Sequence, residues 1–181
     1  VEALAGWHAA TFTITPGAGG SPATAYEVTL RDGTTVVDTA TVPANGDLSV
    51  TFGDLDTGTT YTATVVATNG AGDSAPATAT ATPFVPADTT GLDIDGRACP
   101  NGSSITWTVD NDLDIPVSFN WIARTADTSG TAVVEANSST QVTTDFAGPT
   151  RNVFRVVVDR ILQDREQSRR AEFCNPVMNP I

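Results

Sequence analysis

Short stretches in which apolar and polar residues alternate recur along the first half of the chain. Phe12 and Ile14 alternate with Thr11 and Thr13, and Tyr26, Val28 and Leu30 alternate with Glu27 and Thr29. Leu48, Val50 and Phe52 alternate with Ser49 and Thr51, and Tyr61, Ala63, Val65 and Ala67 follow the same rule. A period of two puts one set of side chains on a core face and the other in solvent, the pattern of half-buried strands. Arg31-Asp32-Gly33 and Ala44-Asn45-Gly46-Asp47 supply the Gly and Asn that tight turns with positive φ require. Strands separated by turns every eight to twelve positions predict an antiparallel sandwich over residues 1–83.

Residues 84–90 are rich in Pro and Thr and read as a short, stiff linker. Alternation then resumes in residues 91–181: Ile105, Trp107 and Val109 share one face, as do Val117, Phe119 and Trp121, and again Phe154, Val156 and Val158. A second sandwich is the expectation, giving an all-β chain of two tandem antiparallel domains. Asp159–Arg170 fits either a helix, by composition, or a hairpin turning at Asp159-Arg160. Its apolar residues are too few for a helical stripe, which favours the hairpin.

The run from Leu55 to Pro76 carries a family resemblance. Leu55 precedes a corner containing Gly58, Tyr61 opens the next strand, and Asn69, Gly72 and Ser74 fall in the loop before the last strand. This resembles the second half of fibronectin type III domains over residues 1–83. The resemblance implies that Tyr61 hydrogen-bonds backbone at the corner. It also implies a tryptophan in the second strand, where this chain has Phe12 or Ile14. Trp7 and His8 stand where a small polar turn belongs; they read as partner contacts, and Trp7 alternatively as packing against an upstream domain or folded back on the sheet edge. Leu30-Arg31-Asp32-Gly33 has the wrong order for the family's integrin-binding tripeptide. The second domain resembles, more generically, immunoglobulin-like terminal domains of secreted bacterial proteins.

Charge narrows the partners. The net charge is −12 over 181 residues, and all nine basic residues are arginine. Phosphate backbones and anionic lipid repel such a chain, so neither nucleic-acid binding nor membrane insertion is expected. Cys99 and Cys174 flank the second domain and read as one disulfide, which implies an oxidising, extracellular or cell-surface setting. Closing so long a loop stabilises by roughly 4 kcal/mol on a chain-entropy estimate. Asn101 and Asn137 head N-x-S triplets, the acceptor sequence for N-glycans.

The inventory of reactive groups points away from catalysis. A Ser-His-Asp or Cys-His arrangement needs a histidine, and His8 is the only one. No lysine exists for a Schiff base, and no His/Cys cluster for zinc. Asp110, Asp112 and Asp114, with Asp93 and Asp95, offer hard oxygen ligands for calcium, but the central Gly and distal Glu of a calcium loop are missing. A solvated acidic hairpin without a cofactor is the expectation. Three functional readings follow: a non-catalytic structural or adhesive component of an extracellular assembly, binding protein or copies of itself; a spacer or carbohydrate-binding region of a secreted enzyme; and a virion surface or tail protein.

Overall fold

A computed structural model describes residues 1–87, 89–98, 104–145 and 152–168, with backbone alone for 96–98 and 166–168. All regular structure in them is β. The chain divides into two compact units, Val1–Pro86 with Ile115–Val117, and Ala87–Asp114 with Ser118–Ile181.

The first unit contains β1 (Glu2–Ala5), β2 (Ala10–Thr13), β3 (Ala25–Asp32), β4 (Thr35–Pro43), β5 (Ser49–Phe52), β6 (Tyr61–Asn69), β7 (Gly72–Asp73) and β8 (Ala77–Ala81). One sheet has the order β1-β2-β5; the other runs β4-β3-β6, with β7 and β8 both pairing β6. All pairings are antiparallel. The alternating apolar residues do meet in one core: Phe12 and Phe52 from the first sheet face Tyr26, Val28, Leu30, Ala63 and Val65 from the second. Phe12 and Phe52 approach edge to face, with centroids 6.1 Å apart at 63°, a geometry the ring quadrupoles favour.

Strand β4 was not evident in the sequence because Val36 and Val37 are adjacent and break the alternation. The ladder explains them. Leu30 pairs Asp38 and Arg31 pairs Val36, so Val37 has no partner and the strand bulges there. Both valines are about half exposed on this sheet-edge strand.

The second unit contains β9 (Leu92–Ala98), β10 (Ser104–Asn111), β11 (Val117–Ala123), β12 (Thr128–Val134), β13 (Ser138–Asp145), β14 (Asn152–Val158) and β15 (Ile161–Ser168). Its sheets have the orders β13-β10-β9 and β12-β11-β14-β15. Inner faces meet through aromatic rings: Phe154 of β14 stacks nearly parallel on Trp107 of β10 (5.0 Å, 13°) and on Trp121 of β11 (5.8 Å, 18°). The buried Trp107 indole N–H donates to Thr144 Oγ1 at 2.8 Å, so its polar edge is satisfied inside the core. Gly130 lies against Trp121; a Cβ there would stand 2.8 Å from a ring carbon.

The hairpin reading of 159–170 holds over the described part: β14 and β15 pair antiparallel around a turn in which Asp159 and Arg160 have φ of 51° and 65°. Two left-handed residues match the twist of a two-residue hairpin. Asp93 and Asp95 lie inside β9, alternating with buried Leu92 and Ile94. Two apolar residues are too short a signal for a strand, and pairing with β10 supplies the rest.

Candidate functional site

The corner between β5 and β6 is built on backbone groups. The Asp56 N–H donates to Tyr61 Oη at 3.0 Å, which fixes the chain as it enters β6. Gly58 takes φ of 82°, a left-handed position that glycine adopts without a Cβ clash, and its N–H donates to Pro83 O at 2.8 Å.

His8 bonds to this same corner, while the neighbouring Trp7 N–H donates to Pro116 O at 2.9 Å. The Gly6 N–H donates to Ala9 O, making a tight turn that places His8 at φ 53°. His8 Nδ1 lies 2.7 Å from Leu55 O, so that nitrogen carries the proton and donates to the carbonyl. In return the Leu55 N–H donates to His8 O at 3.0 Å. Trp7 is fully buried, and so is not an exposed contact residue; His8 is half-buried and spends its Nδ1 on the backbone. The reciprocal His8–Leu55 bonds thus tie this turn to the corner. One turn position, Trp7, is buried, which alternation cannot signal.

The acidic turn is shaped by an asparagine. Buried Asn111 accepts the Leu113 N–H at its Oδ1 (3.1 Å) and donates Nδ2 to Glu135 O (2.8 Å). Asp112 and Asp114 are exposed, and Asp110 and Asp112 line a shallow depression of about 310 Å³ with Asn137, Ser138 and Ser139. Among the described residues no three His, Cys, Asp or Glu side chains converge to hold a metal ion. Asn137 is exposed at φ 49°, and its N–H donates to Leu113 O. Cys99, Cys174 and Asn101 lie outside the described residues. Among the described residues no helix is long and apolar enough to cross a membrane.

The sheet order β1-β2-β5 against β4-β3-β6-β8, closed by a tyrosine bonding back to the corner, matches what the Leu55–Pro76 run implied. The sequence profile of the fibronectin type III domain matches residues 6–83. Residues 6–83 are a fibronectin type III domain. Several solved structures are similar at low identity. A two-domain fibronectin type III segment of chicken tenascin is 15% identical, with 91% of this chain and 92% of that one covered and a TM-score of 0.38. The FN1–FN3 domains of chicken CNTN1 are 14% identical, covering 93% and 65%, with a TM-score of 0.38. A chitinase of Bacillus thuringiensis is 13% identical, covering 92% and 28%, with a TM-score of 0.36. No curated protein matches the chain. Fibronectin type III domains occur in extracellular structural and adhesive proteins and also within secreted enzymes, generally as non-catalytic modules.

Proposed function

We propose that the protein is a non-catalytic structural or adhesive component of an extracellular assembly, such as a bacterial surface protein or filament subunit. The observation that carries this reading is the fibronectin type III domain followed by further all-β structure. Its partner is protein, copies of itself included. The cysteines fit the setting: a Cys99–Cys174 disulfide belongs to an oxidising compartment. Thiol titration of the denatured, unreduced protein should find no free thiol, and two free thiols would remove that support. The decisive experiment is light scattering with negative-stain microscopy on the natively isolated protein. Filaments, sheets or rings support the structural reading; a monodisperse particle of about 19 kDa at every concentration sinks the self-assembling form of it.

A spacer or carbohydrate-binding role in a secreted enzyme is the second reading. It calls for coplanar exposed aromatics. Trp7 and Trp107 are buried and Trp121 is packed on Phe154, which weighs against a binding platform of tryptophans. Saturable binding to an insoluble polysaccharide would reverse the order of the two readings.

A further inference from the structure

The two outer faces of the second sandwich carry opposite charge. On the β9–β10–β13 sheet the inner positions are Leu92, Ile94, Ile105, Trp107, Val109 and Val142, all buried. The outer positions therefore include Asp93, Asp95, Asp110 and Asp145. Asp93 and Asp110 are directly opposite in the ladder, and Arg97 occupies the same face by register, beside Thr106. On the β11–β14–β15 sheet the inner positions are Phe154, Val156 and Val158, and the outer ones include Arg155 and Arg165, again directly opposite each other. Arg124 follows β11; its N–H donates to Val153 O, which puts it diagonal to Arg155 on that outer face. Among the described residues no acidic side chain occupies the outer positions of these three strands. The stacking of Phe154 on Trp107 brings the inner faces together, so the two charged faces look in opposite directions.

Like charges directly opposite on a sheet are unfavourable, and this sandwich holds one such pair on each face. The Arg155 Nε is moreover buried without a hydrogen-bond partner. The strand pitch of about 4.8 Å sets the spacing of both pairs. A carboxylate pair and a guanidinium pair on two adjacent strands thus have matching spacing. Guanidinium groups bind carboxylates in planar, bidentate fashion.

We propose that the arginine face of one copy docks on the aspartate face of a second copy, Arg155 and Arg165 meeting Asp93 and Asp110. The occupant is a second copy because this chain itself carries the complementary charge at the complementary spacing. The contact is heterologous: after pairing, one copy still presents a free aspartate face and the other a free arginine face. Such contacts propagate into open stacks unless their rotation closes a ring. The inference rests on the structural reading above and names the surface that assembly uses.

Sedimentation velocity of the full chain tests it. The wild type should associate at low salt and dissociate as the Debye length falls from about 30 Å at 0.01 M to about 3 Å at 1 M. R155E/R165E leaves both faces acidic, and D93R/D110R makes the aspartate face basic. Each should be monomeric alone, with self-affinity reduced roughly hundredfold or more, while an equimolar mixture of the two should associate again. Unchanged melting temperature and circular dichroism in each variant separate a lost contact from a lost fold. Salt-independent association, wild-type affinity in either variant, or no recovery on mixing overturns the proposal. Assemblies that both variants still form in the microscope overturn this interface alone, whereas a wild type that never assembles removes this interface together with the self-assembling form of the structural reading.

Discussion

In the fibronectin type III domain two phenylalanines meet edge to face and the rest of the core is aliphatic, alanine and tyrosine; in the second sandwich Phe154 lies flat against Trp107 and Trp121. Both are antiparallel sheets closed over an apolar layer, but they concentrate their stability differently. The first distributes it over many medium-sized contacts and backbone hydrogen bonds at the Leu55–Tyr61 corner. The second gathers it around one ring. A single truncation should therefore damage the second sandwich far more than a comparable loss damages the first.

Phe154→Ala is the strongest way to break the comparison. It removes the ring that both tryptophans stack on and should destabilise the second sandwich by about 3–5 kcal/mol. Hydrogen exchange resolved by peptide would report it: amides of β10 and β14 should lose protection while those of β3 and β6 keep theirs. Gly130→Ala probes the same layer from the side. A Cβ 2.8 Å from the Trp121 ring forces the indole to shift, at a cost of about 1–3 kcal/mol for overpacking. Denaturant titration followed by tryptophan fluorescence would register both the lower midpoint and the displaced ring.

Tyr61→Phe acts on the other side of the comparison. It deletes the acceptor of the Asp56 N–H but keeps the ring in the core, so the loss should be about 0.5–1.5 kcal/mol, confined to the first domain. A loss as large as that of Phe154→Ala would mean that the corner, not the distributed core, holds the domain together. The smallest effect is a gain. Arg165→Glu converts a like-charge cross-strand pair into an opposite one and should raise stability by about 0.2–1 kcal/mol, eroded by salt. A drop in melting temperature would show that Arg165 makes contacts its charge does not explain.

Legibility in the sequence followed the length and purity of each alternating stretch. β3 and β6 were plain because Tyr26, Val28 and Leu30, and Tyr61, Ala63 and Val65, repeat without interruption. β9 was hidden because it offers only Leu92 and Ile94, β12 because its apolar residues Ala132, Val133 and Val134 are consecutive, and β13 because Ser and Thr fill most of its positions. Trp7 was ambiguous for another reason: whether a turn residue points in or out is decided by the turn's φ values and by the Leu55 and Phe84 backbone bonds that anchor it. The opposed charge of the two outer faces needed the ladder register, since Asp93 and Asp110, like Arg155 and Arg165, are far closer in space than their numbers suggest.

The slip in the β3–β4 ladder has a consequence for how crowded copies behave. Strand β4 is long, rich in Thr and Val and carries one charge, which are the ingredients of a sticky template for amyloid-like growth. The unpaired Val37 kinks that template, and Asp38 next to it occupies a position on the core-facing side of the strand, opposite Leu30. A foreign strand laid along β4 would lose register at the kink and bring its own side chains against a carboxylate. High local concentration on a surface can then be tolerated without edge-to-edge polymerisation.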